Sequence, residues 1–440
     1  MKVEATYSNI WKISYPIMLG GIAQTILHLT DTMFLARVGE VELGAGAVAG
    51  VFYFVLVMLG MAIAIGSQIL MSRKAGEGNK KEIGFLFDHC TIILWVMSIV
   101  LFLLMQFGAP ALFKSMLQSE QVQLASIDFI KYRSFGIFFI LTTHAFRSFY
   151  TSISQTRIIS YSAIVLTGSN VILAYAMILG KFGFEAEGIV GAGKASAISE
   201  LIAAIYLVVY TFFKKDIKEF GLFKFSNINT EKIKGIINIS SPIVLQNLLS
   251  MGAWFLFFVF IERIGQHELA ISNVVRATYM VLMTPIWGYS SATNSMVSNL
   301  IGQGRGDEVL GLVKRIIKLS LLTTTIICLL NFIQIDFLLA LTASDLKLVA
   351  DALPSYYVIL SAMFIFSVAI VALMAVSGTG KTKVTMYIEI FNIGIYLLLS
   401  YIFAVVMKAS LPVVWSTEIY YWLIMGLLAW WYLKSFKWKN

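Results

Sequence analysis

Residues 16–39 read PIMLGGIAQTILHLTDTMFLARVG, an apolar run that carries one carboxylate, Asp31. About 20 such residues suffice to cross a bilayer as a helix. A charged side chain near the bilayer centre costs at least ~2.5–3.5 kcal/mol, so a carboxylate kept there is a candidate functional group. Gln24 and His28 precede Asp31 by seven and three residues and share its helix face. The alternative for Asp31 is an ion pair with Arg37, six residues on, at the aqueous end of the helix.

The rest of the chain has the composition that this stretch requires. Of 440 residues, 59% are hydrophobic and 13% charged, with a mean hydropathy of +0.83. Soluble domains carry about a quarter of their residues as charges, so the chain reads as a polytopic membrane protein. The opening MKVEATYSNI leads into a long apolar helix without a small-residue cleavage site, which predicts a retained first span. Cys90 and Cys328 each lie inside an apolar segment and read as packing residues rather than a disulfide framework.

Apolar segments of spanning length fall near 10–36, 44–71, 84–108, 126–153, 158–180, 188–213, 235–261, 269–300, 312–335, 352–377, 384–407 and 412–433, twelve in all. The loops after even-numbered spans hold most of the lysine and arginine, among them Arg73, Lys74, Lys80, Lys81, Lys214, Lys215, Arg305 and Arg315. By the positive-inside rule both termini are cytoplasmic. The net charge of +9 is thereby topological, and nucleic-acid binding is not expected.

A shift of 226 residues aligns the chain with itself. Ser14, Pro16 and Leu19 meet Ser240, Pro242 and Leu245; Arg37, Gly39 and Glu42 meet Arg263, Gly265 and Glu268; Gly76, Gly78 and Glu82 meet Gly302, Gly304 and Glu308; Tyr161 meets Tyr387. These matches include Pro, Gly, Arg and Glu, which shared hydrophobicity does not explain. The predicted fold is an all-α integral membrane protein of twelve transmembrane helices in two six-helix bundles. An N-terminal lobe covers 1–213, a cytoplasmic linker 214–234 and a C-terminal lobe 235–440. Because six is even, the halves insert in the same orientation about a pseudo-twofold axis along the membrane normal. This is the parallel-repeat plan of secondary transporters working by alternating access.

Position 31 is Phe257 in the repeat, so the halves differ where ion chemistry is available. A carboxylate in a span can hold H⁺ or Na⁺, and its occupancy can bias a two-state equilibrium. Other polar residues in the first-half spans are His144, Arg147, Asn170, Lys194, Ser196 and Glu200, with Ala192, Ser196 and Glu200 on one helix face. Glu200 reads as a second proton carrier or as half of a structural ion pair; Lys194 reads as paired to a carboxylate or snorkelling. In the second half Gln246, Asn247, Ser250, Trp254, Tyr279, Met283, Trp287 and Ser291 are candidates to line an uncharged, aromatic cavity or to pack helices. His28, His89, His144 and His267 stand in no metal-binding spacing, and no phosphate loop occurs, so neither a metal centre nor ATP use is expected.

Taken in order, these pieces resemble the multidrug and toxic compound extrusion (MATE) transporters of the wider multidrug/oligosaccharidyl-lipid/polysaccharide flippase superfamily. The likeness spans essentially the whole chain: a first helix of the form P…D…VG, GEGN after span two with GQGR in the repeat, and SQTR and GTGKT after spans four and ten. It implies an efflux antiporter, not an enzyme, that exports organic cationic or amphipathic compounds against H⁺ or Na⁺. The DinF-like branch keeps its coupling site in the N-terminal lobe, which implies Asp31 as coupling carboxylate, Pro16 as the bending proline, Asn170 on the fifth helix and Ser196 on the sixth; His28 and Glu200 are the partners that this chain itself offers to Asp31. The second fifth-helix Asp of that branch is Ala174 here, and Lys194 intrudes into its sixth-helix pattern. With one carboxylate lost, a fully liganded Na⁺ is disfavoured and H⁺ is the expected coupling ion, with no other cofactor. The acidic positions of the NorM-like branch fall on Ser250 and Val368, which implies no ion site in the C-terminal lobe.

The substrate cavity is expected to involve Gln24, Arg147, Lys194, Gln246, Asn247, Ser250, Trp254, Met283 and Trp287. The competing reading is a flippase for a lipid-linked saccharide, for which Arg147, Lys194 and Arg276 are the available cations. The setting expected is the inner membrane of a bacterium, with a small organic substrate and the lipid bilayer as partners and the chain as a monomer.

Overall fold

Glycine and asparagine punctuate the helices where the sequence motifs stand. Helix α1 (Tyr7–Val38) is followed by α2 (Glu40–Glu77), which ends as Gly78 takes a left-handed φ of 80°. An L side chain is strained there, and the Gly78 N–H closes on the Ala75 carbonyl. Asn79 then caps α3 (Lys80–Leu103) by accepting the Glu82 N–H at 3.1 Å. The GEGN motif is thus a helix stop joined to a helix start.

The structure, a computed structural model, describes residues 2–225, 228–333 and 346–439. Every regular element among them is helical. After α3 come α4 (Glu120–Arg133), α5 (Gly136–Ser152), α6 (Arg157–Leu179) and α7 (Gly188–Phe213). The second half holds α8 (Thr230–Glu262), α9 (Gln266–Gly302), α10 (Val309–Ile333), α11 (Leu346–Gly378), α12 (Thr382–Tyr401) and α13 (Thr417–Lys434). Nine helices among the described residues are long and apolar enough to cross a membrane. The remaining three expected spans correspond to α1, diluted by Gln24, His28 and Asp31; to α4 and α5, broken near Ser134; and to α10, which runs up to the edge of the described residues. The end of the expected 312–335 span lies outside the described residues.

Large apolar side chains stand exposed on these helices, Phe255 at 69% and Phe213 at 82%. A water-soluble chain of this size does not leave such surface open, whereas lipid covers it. Cys90 and Cys328 are free and buried, as packing residues should be.

The chain forms two compact units, Leu19–Ser240 and Lys2–Met18 with Ser241–Asn440. Their boundaries fall inside α1 and α8, beside Pro16 and Pro242. In the first unit α6 packs closely on α7, where a Cβ at Gly191 would come within 2.5 Å of the Met177 carbonyl. The connection after α7 is tied to α3. The Asp88 carboxylate accepts the backbone N–H groups of Phe223, Lys224 and Phe225 at 2.8, 2.9 and 3.1 Å, and His89 Nε2 accepts that of Asn229 at 2.9 Å. Ion pairs Lys80–Glu219 and Lys232–Glu82 flank this clamp.

In the second unit α11 is central, packed against α9, α10 and α13. Phe257, the counterpart of Asp31, is fully buried among Tyr396, Trp415 and Phe258, with ring centroids 5.6, 5.1 and 5.6 Å away. The repeat has replaced a carboxylate by an aromatic core.

Candidate ion and substrate sites

In the first unit α1 presents Asp31 to α7. The residue is half-buried, and its Oδ1 is sealed from solvent without a hydrogen-bond partner. Ser196, Arg133 and Glu200 are the groups that act on this carboxylate, the last two through their charges. Asn170, fully buried on α6, donates from Nδ2 to Ser196 Oγ at 3.2 Å and leaves its own Oδ1 without a partner. Asp31, Asn170 and Ser196 therefore belong to one cluster, and Ala174 adds no oxygen to it. His28 is exposed one turn earlier on α1.

Glu200 is held by a residue the sequence reading did not single out. Arg133 donates from both terminal nitrogens, at 2.7 and 2.5 Å, while Tyr53 donates its hydroxyl at 3.1 Å and lies 3.8 Å beneath the guanidinium. A Cβ at Gly136 would sit 2.1 Å from Glu200 Oε2 and 2.4 Å from an Arg133 nitrogen, so the ion pair needs glycine there. Inspecting the 126–153 span for every cation, rather than for His144 and Arg147 alone, would have returned Arg133. Lys194 turns to the other end of α7, paired with Glu187 at 2.7 Å and lying over the Tyr132 ring.

A narrow cavity in the same unit is lined by Gly20 and Gln24 of α1, Ile140, Thr143 and Arg147 of α5, and Ile159, Ser162 and Thr167 of α6. Gln24 and Arg147, both expected in a substrate cavity, meet here.

The second unit places buried carboxylates where none was expected. Ser250, aligned with an acidic position of the NorM-like branch, donates its hydroxyl to Glu389 Oε1 of α12 at 2.5 Å, and Tyr421 donates to the same oxygen at 2.5 Å. Glu389 Oε2 is buried without a partner. Glu418 of α13 accepts from Tyr396 at 3.0 Å, from Tyr279 at 3.3 Å and from Trp422 Nε1 at 3.1 Å, with Trp254 nearby. Both glutamates lie inside apolar spans of the sequence, which is the signal that could have found them. Of the other cavity candidates, Gln246 is buried, Asn247 and Met283 are half-buried, and Trp287 is exposed against Phe366, 6.0 Å away.

Duplicated helical halves, a lipid-facing apolar surface and carboxylates set inside the spans define a multi-pass membrane transporter rather than an enzyme. The chain belongs to the MatE family, whose model matches residues 16–176 and 242–402. These windows are equal in length and stand at the 226-residue shift of the internal repeat. The chain is 26% identical over 406 residues to the probable multidrug resistance protein NorM of Thermotoga maritima, covering 89% of this chain and 84% of that one. It is 22% identical over 324 residues to the probable multidrug resistance protein NorM of Agrobacterium fabrum, 72% of this chain and 66%, just under two thirds, of that one. It also superposes on a solved structure described as MATE in complex with MaL6, with a TM-score of 0.90, 18% identity and coverage of 99% and 96% of the two chains. That likeness concerns the fold.

Proposed function

We propose that this transporter is an efflux antiporter that exports organic compounds in exchange for H⁺, with Asp31 as the coupling carboxylate. The observation that carries the reading is the Asp31 carboxylate, half-buried in a span with one oxygen sealed and unpartnered. Such a group is costly when charged and empty, and proton occupancy removes that cost. A ligand shifts an alternating-access equilibrium only by binding one state better, and a carboxylate whose hydration changes between states supplies that difference. Na⁺ is the weaker candidate, because Asp31, Asn170 and Ser196 offer one carboxylate and Glu200 is committed to Arg133. The names of the curated relatives support multidrug compounds as cargo. The reading includes a monomer in a bacterial inner membrane with cytoplasmic termini.

The flippase reading keeps Arg147 and Arg276 as cations and loses one of its three. Lys194 is neutralised by Glu187, whereas Arg276, over the Phe258 ring, keeps its charge.

The test is transport of a fluorescent substrate by reconstituted protein under separately imposed H⁺ and Na⁺ gradients, in wild type and Asp31→Asn. Gradient-driven transport unchanged in the variant would remove Asp31 from the coupling step, and transport driven by Na⁺ alone would remove the proton.

A further inference from the structure

We propose that Arg147 forms an anion subsite, so that the cargo carries a carboxylate or phosphate-like group as well as an apolar body. The inference rests on the efflux reading and specifies the chemistry of its substrate.

The deeply placed cations of the first unit differ in how they are satisfied. Arg133 is closed on Glu200 and Lys194 on Glu187. Arg147 is half-buried, and no carboxylate among the described residues acts on it. The ionisable side chain that senses it is His144, which supplies no negative charge. A lone guanidinium inside a span costs as much as a lone carboxylate and calls for a counter-charge.

Arg147 does not stand in apolar packing. It lines the narrow cavity together with Gln24, Thr143 and Ser162. Thr143, 6% exposed, aligns with Arg147 one helical turn away, and its hydroxyl is buried without a partner. Two unused donors of different kinds thus converge on one space, with the Gln24 amide beside them. The space is about 20 Å³, room for one oxygen of an oxyanion rather than for a whole molecule. Guanidinium with a hydroxyl and an amide is a donor set suited to a planar or tetrahedral oxyanion. The fold itself does not require the arginine. In the repeat the same position is Leu373, 1% exposed, and that of Thr143 is Ala369.

The experiment uses purified full-length protein and two dansyl-labelled octyl probes, one ending in carboxylate and one in trimethylammonium. Binding is read by dansyl fluorescence and transport in proteoliposomes under a pH gradient. The expected result is carboxylate-probe binding weakened about tenfold to a hundredfold in Arg147→Gln, the net range of a charge-assisted hydrogen-bonded pair, and largely retained in Arg147→Lys. Binding of the trimethylammonium probe should be unchanged or tighter in Arg147→Gln. Equal loss of both probes in Arg147→Gln and Arg147→Lys would assign the arginine to folding and overturn the subsite. So would carboxylate binding unaffected by either variant, or inorganic phosphate or chloride binding at Arg147 with no carboxylate-probe binding. Transport of the trimethylammonium probe alone would overturn the subsite and leave efflux standing; transport of neither probe would overturn the efflux reading as well.

Discussion

Arg133 closes on Glu200 through both terminal nitrogens, at 2.7 and 2.5 Å, and this pair fixes what remains for Asp31. Glu200 is the carboxylate on α7 closest in role to a partner for Asp31, and the guanidinium occupies both of its oxygens. Asp31 is left with Ser196 and, through it, Asn170.

Removing one partner of a buried ion pair leaves an uncompensated charge. Arg133→Gln or Glu200→Gln should each lower stability by about 3–5 kcal/mol, and the double variant should recover part of the loss. Gly136→Ala should act the same way by pushing the pair apart. Thermal unfolding in detergent checks all three, and additivity of the two single changes would refute the coupling.

The Asp31 cluster predicts graded effects on transport. Asp31→Asn should abolish coupling, Asn170→Ala should slow transport several-fold by withdrawing the donor that orients Ser196, and His28→Ala, on an exposed position, should have the smallest effect. Initial rates at matched protein density in vesicles decide the order.

Glu389 receives hydroxyl donors from Ser250 and Tyr421, and a glutamine carbonyl can accept both. Glu389→Gln should therefore be nearly neutral in stability. Glu389→Ala should cost about 2–3 kcal/mol, because it leaves buried donors without an acceptor. Denaturation midpoints separate the two.

Asp88 gathers three backbone N–H groups of the 223–225 segment, two of whose residues, Phe223 and Phe225, hold left-handed φ values of 64° and 44°. Asp88→Ala should loosen this connection by on the order of 2 kcal/mol. The expected sign is faster tryptic cleavage at Lys224 with the helices intact. An unchanged cleavage rate would show that the aromatic contacts of Phe223 hold the segment without the carboxylate.

On the loop before α10, Arg305 donates to both oxygens of Glu308 at 2.7 Å and holds its carboxyl below the usual glutamate range. A carboxyl with a lowered folded pKa stabilises above its unfolded value and loses that contribution as pH falls through the folded one. Arg305→Gln should move the Glu308 titration midpoint upward, read by carboxyl ¹³C shifts. The loop should loosen only on the acid side of the ordinary carboxylate range.

Helix identity and duplication were legible because they are periodic properties of the chain. Runs of apolar residues, Gly and Asn stops, and a constant 226-residue register recur, and the two MatE matches fall on that register. Asp31, Asn170 and Ser196 were legible as members of one lobe, and the tertiary structure brings them into one cluster. Arg133, Glu389 and Glu418 stand in apolar spans as single polar residues, and what gives each its role is a partner on another helix, which the sequence pattern does not show. Ser250 shows the consequence: the position aligned with an acid in the NorM-like branch holds a hydroxyl, and the acid it binds comes from another helix.

The sequence by itself determined that this is a duplicated helical membrane protein and that its halves differ at Asp31 and Phe257. Only the tertiary structure decided which charges are spent. Arg133 neutralises Glu200 and Glu187 neutralises Lys194, while Arg147 keeps no carboxylate among the described residues. Periodicity places a side chain on a helix face, but the free energy of a buried charge depends on what the neighbouring helix offers within about 3 Å. That pairing is set by how helices far apart in sequence pack.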